Sequence, residues 1–468
     1  MFPKNFLLPM AATVWFVAYP VNANDGPVSP QTSRDTANAV DWPRRLGPNH
    51  NATVAAPKLI EKFPDDGPKI VWETEAGEGY AAPVIVGDRL VLFHRLDNRA
   101  TIDCLNAKTG KRIWRQQYET NYSDRYGFSG GPRCSPLIDG DRVYICGVEG
   151  ELRCMKLTDG TTIWRTNTLE QFGGKQEYFG AGAGPLVEGE LLILNVGAPK
   201  KNAAVVAFNK LTGAVVWKVG DQWGASYAAA VPTTINGRRV VLIFAGGDSR
   251  PPTGGLLVID PKDGKLLSRY PFRSTKYESV NASSPVIWNE KVFISTSYNT
   301  GGVLLEFDGQ FNAKPVWTTT DCGSHFMTPV VDGDHMYAID GMNRRTIALT
   351  CIDLKTGKST WSWSPVFDEE IEINRDKRTA SFGIGLGSLL KVGGRYLLLT
   401  ENGHLLLMKL TADKHETLTR AWLFGAQETW ALPPLVDGLL YVNQNQRDSI
   451  SKTNPRLICY DLRQETKP

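Results

Sequence analysis

The chain has no block of five like charges, no pair of adjacent cysteines and no apolar run long enough to span a bilayer. Each absence removes a class of function. Its 52 basic and 49 acidic residues leave a formal net charge of +3, without the basic stripe that nucleic-acid binding requires, so no nucleic-acid partner is expected. The most apolar stretch near the start, Phe6 to Tyr19, is broken by Pro9 and falls short of the ~20 residues that cross a hydrocarbon core. No membrane span is expected. With Lys4 ahead of it and Val21-Asn22-Ala23 behind it, that stretch reads as a secretory signal peptide over residues 1–23, which sends the protein to the periplasm or outside the cell. No cysteine precedes Cys104, so a soluble protein is expected and not a lipoprotein. Histidine is scarce, six in all, and none stands in a His-Glu-x-x-His pair, the zinc-hydrolase signature.

What the chain does have is repetition. A Pro or small residue opens an apolar run, a Gly/Asp/Asn turn follows, and a second run comes next. The openings are Ala82-Pro83-Val84-Ile85, Ser135-Pro136-Leu137-Ile138, Gly184-Pro185-Leu186-Val187, Val231-Pro232-Thr233-Thr234, Ser284-Pro285-Val286-Ile287, Thr328-Pro329-Val330-Val331, Ser388-Leu389-Leu390-Lys391 and Pro433-Pro434-Leu435-Val436. Strand-length runs joined by residues that accept positive φ are hairpin chemistry. A period of roughly 40–50 residues built from short strands means a solenoid or a propeller. Several copies close on Gly with Trp four residues later, as in Gly110 and Trp114, Gly160 and Trp164, Gly213 and Trp217, and Gly357 and Trp361. The last copy ends at Leu462 without such an element, while an orphan strand around Trp72 stands ahead of the first. The expected fold is therefore all-β, an eight-bladed β-propeller of four-stranded antiparallel blades whose ring is closed by an N-terminal strand completing the last blade, which removes two sheet edges.

The expected partition is signal peptide 1–23, extended arm 24–68, propeller 69–462 and tail 463–468. A charged insertion, 368–379, lengthens one repeat. Trp72, Trp114, Trp164, Trp217, Trp317, Trp361 and Trp422 are assigned to structure, each filling the wedge between blades at the closing position; Ser268 stands there in the fourth copy. Cys104, Cys154 and Cys351 each lie six residues before the repeat glycine, and Cys459 matches them in the last copy. Equivalent positions on different blades are too far apart to bridge, so buried free thiols are expected.

The element Ile352-Asp353-Leu354-Lys355-Thr356-Gly357 with Trp361 resembles the pyrroloquinoline-quinone (PQQ)-type propeller repeat, over about residues 69–462. Asp41–Pro48, Val280–Pro285, Ser324–Pro329 and Gly385–Leu389 are similar to segments of exported bacterial PQQ-like repeat proteins. The resemblance implies an eight-bladed propeller of the quinoprotein alcohol dehydrogenase-like superfamily. It extends, more distantly, to the propeller lipoprotein of the outer-membrane assembly machine.

Residues just ahead of the inner strands should ring the mouth of the central funnel: Tyr80, Arg133, Tyr178, Tyr227, Asn281, His325 and Trp430. Such a set suits a small polar or planar ligand. The expected function is a non-catalytic binding or scaffolding propeller of the bacterial cell envelope, a monomer, whose partner is an envelope protein or such a ligand. No catalytic residue, metal or cofactor is expected. The alternative that the resemblance implies is a dehydrogenase oxidising alcohols or sugars with PQQ and Ca²⁺, for which Glu177 and Asn281 are the nominated acid and amide. Phe179-Gly180-Ala181-Gly182-Ala183-Gly184 imitates a nucleotide loop but runs into a strand, so close packing is its expected role.

Overall fold

The computed structural model describes residues 41–55, 58–342, 347–373 and 376–464. The expected signal segment 1–23 and the first part of the expected arm lie outside them. Eight antiparallel blades of four strands account for the repeats, one of them widened to five by a parallel strand of the arm. Blade 1 comprises Val84–Val86, Arg89–Leu96, Arg99–Asn106 and Arg112–Glu119. Blades 2 to 7 repeat this plan, starting at Leu137, Leu186, Val231, Val286, Val330 and Ser388. Blade 8 takes Leu435–Val436, Leu439–Gln444 and Arg456–Asp461 from the C-terminal end. Its outer strand is Lys69–Glu75, antiparallel to Arg456–Asp461 with Lys69 opposite Asp461 and Glu75 opposite Arg456. The ring is closed by the N-terminal strand. The charged insertion is a hairpin of Phe367–Ile373 and Asp376–Phe382.

The middle two strands of each blade are almost wholly buried and aliphatic, because both faces meet neighbouring blades. Packing at the rim follows one rule. The indoles of Trp72, Trp114, Trp164, Trp217, Trp317 and Trp361 each donate Nε1–H to a carbonyl in the next blade, at 2.9–3.0 Å. The first five rings also lie on the turn glycines Gly110, Gly160, Gly213, Gly264 and Gly357 of that blade. A Cβ there would come within 2.5–2.7 Å of a ring carbon, and φ is +70° to +74°. Both demands select glycine.

Two positions depart from the rule. Ser268 takes the place in blade 4, opposite Val258 just before the bulge. Phe311 of blade 5 fills the gap from the other side, buried in one cluster with Val240, Leu242 and Val258 of blade 4. Trp422 was expected at the closing position of blade 7, and the register corrects this. The residue opposite Leu407 at the bulge is Thr419, while Trp422 lies opposite His404. Blade 7 has no turn glycine to receive a ring. Its Trp422 donates to Asn402 O at 3.0 Å and stacks on His404 at 5.5 Å with 9° between planes. The arm completes this joint, since Phe63 is buried and its N–H donates to Thr419 Oγ1 at 3.0 Å.

The arm also crosses one end of the ring. Trp42 exchanges both backbone hydrogen bonds with Ile85 of blade 1, at 2.8 Å each, and Pro43 O accepts from Ile138 N of blade 2. Thr53–Val54 then pairs parallel to Lys391–Val392 of blade 7. Ile60 N–H donates to Leu462 O, and Gln464 N–H to Lys58 O. All seven cysteines are buried free thiols.

Candidate functional site

An axial cavity of about 160 Å³ is built from the loops that lead into the inner strands, roofing a floor made by the arm. Blade 1 contributes Tyr80 and blade 2 Phe128 and Arg133. Blade 3 gives Phe179, blade 4 Tyr227, blade 5 Val280 and Ala282, blade 6 His325 and Phe326, blade 7 Ser388, and blade 8 Trp430; Arg45, Leu46 and Ala52 form the floor. The eight loops converge because each inner strand starts next to the axis.

The walls are aromatic. Tyr80 and Trp430 stack at 4.7 Å with 31° between planes, and Phe326 lies 4.9 Å from Trp430. His325 stacks on Phe326 at 4.0 Å. Phe179 meets Tyr227 edge-on at 5.8 Å. Rings at these separations hold one another in fixed orientations. Tyr80 O–H donates to Glu428 Oε2 at 2.5 Å, and Phe179 N–H donates to Tyr227 Oη at 2.8 Å. Arg133 is fully engaged: it donates to Phe179 O, Gly131 O and Asp124 Oδ2, each at 2.9 Å.

Three polar atoms in this wall have no hydrogen-bond partner: His325 Nδ1, Ser388 Oγ and Trp430 Nε1. Burial holds the His325 imidazole neutral, its pKa pushed down to about 4. Buried polar atoms are nearly always satisfied, so three orphans around one cavity are unusual.

Five of the seven expected funnel residues line the cavity: Tyr80, Arg133, Tyr227, His325 and Trp430. Tyr178 and Asn281 do not. Tyr178 turns away into a cluster with Val280 and Ala282 and meets Tyr277 edge-on at 5.7 Å. The Asn281 amide ties two blade-4 segments together, donating to Ala245 O at 2.8 Å and Phe272 O at 3.1 Å. Missing from the expectation were Phe128, Phe179, Phe326, Ser388 and the three floor residues. A signal for some was present, since Phe326, Ser388 and Arg45 lie inside three of the segments that carry the resemblance. The string Gly127-Phe128-Ser129-Gly130-Gly131 spells the Gly-x-Ser-x-Gly of a nucleophile turn. It sits in a loop and not between strand and helix, and Ser129 Oγ accepts the Gly131 N–H, so the geometry of that turn is absent.

The family model described as "Outer membrane protein assembly factor BamB" matches residues 98–363. This chain belongs to that family of PQQ-like propeller proteins. Among curated relatives, BamB of Shewanella oneidensis is 20% identical over 302 residues, 63% of this chain and 61% of the relative. BamB of Salmonella typhimurium is 30% identical over 111 residues, 21% of this chain and 26% of the relative. The chain thus spans less than two thirds of the length of either. Of solved structures, BamB from Moraxella catarrhalis superposes with a TM-score of 0.54 at 13% identity, covering 86% of this chain and 99% of that one. The quinohemoprotein alcohol dehydrogenase of Comamonas testosteroni gives 0.51 at 13%, covering 92% and 82%. At these identities the likeness is one of fold.

The dehydrogenase neighbour raises the question of fit for PQQ and calcium. Calcium takes six to eight oxygen ligands. Among the described residues, no three His, Cys, Asp or Glu side chains come together. The Glu177 carboxylate is occupied by the backbone amides of Ala225 and Asp248, and burial raises its pKa to about 7. Asn281 is occupied as described. PQQ carries three carboxylates, while of the two arginines lining the cavity Arg133 is already paired with Asp124. The residues present do not fit this pair.

Proposed function

We propose that the protein is a non-catalytic binding propeller of the bacterial cell envelope, and that the axial cavity holds a small planar ligand. The single observation that carries this reading is the aromatic-walled axial cavity itself, into which eight loops bring unlike side chains, His325, Ser388 and Trp430 among them. A preformed, mainly apolar pocket with a few convergent polar groups is the usual form of a small-molecule site. Membership of the BamB-described family supports placement in the envelope, as does the signal-like sequence of residues 1–23. Among the described residues, no helix is long and apolar enough to cross a membrane. Assembly with an envelope protein is compatible with this, because the outer faces of the blades are separate from the cavity.

The test is calorimetric titration of the mature protein with planar and carbohydrate ligands, repeated after His325→Phe and Trp430→Ala are combined. Binding that falls at least tenfold in the double variant, with the fold intact, is expected. Binding of every ligand unchanged overturns the cavity reading. A parallel titration with PQQ and Ca²⁺ addresses the chemistry: dye reduction in the presence of alcohols or sugars would overturn the non-catalytic reading.

A further inference from the structure

Resting on that reading of the cavity, we infer that its ligand is a small planar monoanion, an aromatic carboxylate, received by the guanidinium of Arg45. Charge decides the class. Arg45 and Arg133 are the charged side chains among the lining residues, and no Asp or Glu is one of them. Arg133 is neutralised by Asp124 at 2.9 Å, with side-chain exposures of 5% and 0%.

Among the described residues, Arg45 has no such counter-ion. Its Nη1 donates to Tyr227 O at 2.9 Å and its Nη2 to Phe326 O at 3.4 Å. Burial lowers its pKa, and no carboxylate acts to raise it again. A guanidinium has five donors in a planar fork, and two are used here. The side chain is set deep at the axis yet keeps partial accessibility, and it lines the axial cavity as well as a smaller one beside Arg44 and Pro136. A charge removed from water without a counter-ion is costly, and backbone carbonyls offset it only in part. A carboxylate entering the cavity supplies the counter-ion and matches the fork with paired N–H···O bonds.

The walls set the rest of the ligand. Tyr80, Trp430, Phe326 and Phe179 present ring faces and edges that suit a flat aromatic body. The neutral His325 ring adds no charge. One unpaired guanidinium calls for one carboxylate, and about 160 Å³ limits the body to one or two rings. Arg45 comes from the arm and not from a blade, so the propeller provides the slot and the arm provides the charge.

The experiment is calorimetry on the full mature protein with benzoate, 2-naphthoate and indole-3-carboxylate, each beside its carboxamide. The expected result is that at least one acid binds at least tenfold more tightly than its amide. Arg45→Met should remove that preference and Arg45→Lys should keep part of it, with thermal melts reporting the fold of each variant. Acid and amide binding equally well to the wild type, or a preference that survives in Arg45→Met, overturns the anion and leaves the cavity reading standing. If neither acids nor amides bind while a neutral sugar does, the anion is likewise overturned. If nothing binds, the cavity reading falls and this inference with it. Should Arg45→Met fail to fold, the wild-type ratio and Arg45→Lys decide.

Discussion

The rim and the axis of this propeller are built on opposite principles. At the rim, six tryptophans reach across to the next blade, and five of them rest on a left-handed glycine there. The contact is repeated and local, with each of the six indole N–H groups satisfied. At the axis the blades bring no repeated residue to a common space: tyrosine, arginine, phenylalanine, histidine, serine and tryptophan all line it. There the contacts are unrepeated and three polar atoms go unpaired. Repetition is where the molecule stores stability, and its absence is where specificity is located.

Mutations can sharpen this contrast, and the largest effect should come from the rim. Trp114 is 8% exposed, and Trp114→Ala should cost about 3–5 kcal/mol in denaturant unfolding. Gly160→Ala attacks the same joint from the other blade. It combines φ of +74° with a Cβ 2.7 Å from the Trp114 ring, and a loss of about 2–4 kcal/mol is expected. At the axis, Glu177 gives a pH signature. Its pKa is raised above the unfolded value to about 7, so the folded state holds the extra proton. Stability should be greatest below the unfolded pKa and fall as pH rises from about 4.5 through 7, by about 1–3 kcal/mol. Glu177→Gln should flatten that slope in unfolding curves taken across the range; an unchanged slope would assign it to other groups. The smallest effect belongs to Gly309, the turn glycine of blade 5. It lacks the left-handed φ of the other turn glycines, which Phe311 adopts in this blade, and a Cβ there meets nothing within 4 Å. Gly309→Ala should change stability by less than about 0.5 kcal/mol. A cost equal to that of Gly160→Ala would break the rim rule.

The sequence was legible where structure is periodic. Blade count, strand order and ring closure follow from the recurring openings and from the orphan strand at Trp72, because each repeat must bury both faces against its neighbours. The rim was read from one side. Tryptophan was seen to fill the wedge, but its glycine partner belongs to the next repeat, and spacing within one copy cannot reveal a contact between copies. Trp422 was misplaced for the same reason, since a tryptophan near a strand end looks alike whether it lies before or three residues beyond the bulge. The axis was legible in part. Position ahead of an inner strand brings a residue near the mouth, as with Tyr80 and Trp430, but it does not say which way the side chain turns. Tyr178 turned outward and Phe179 inward. Arg45 lay beyond such reasoning, because an arm without period gives no sign of where it docks.

Closure by the strand Lys69–Glu75 has a consequence for how the molecule is made. The strand leaves the ribosome long before its partner Arg456–Asp461. Seven blades can assemble in order of synthesis, each on the one before, while this first strand waits with its edge open. Ile70 and Val71, still 46% and 39% exposed after folding, are meanwhile bare on that edge, the kind of surface that recruits wrong partners. Every truncated chain that stops short of Arg456 therefore keeps both ends of its ring unsealed. Ring closure is in effect a report that synthesis has passed Asp461.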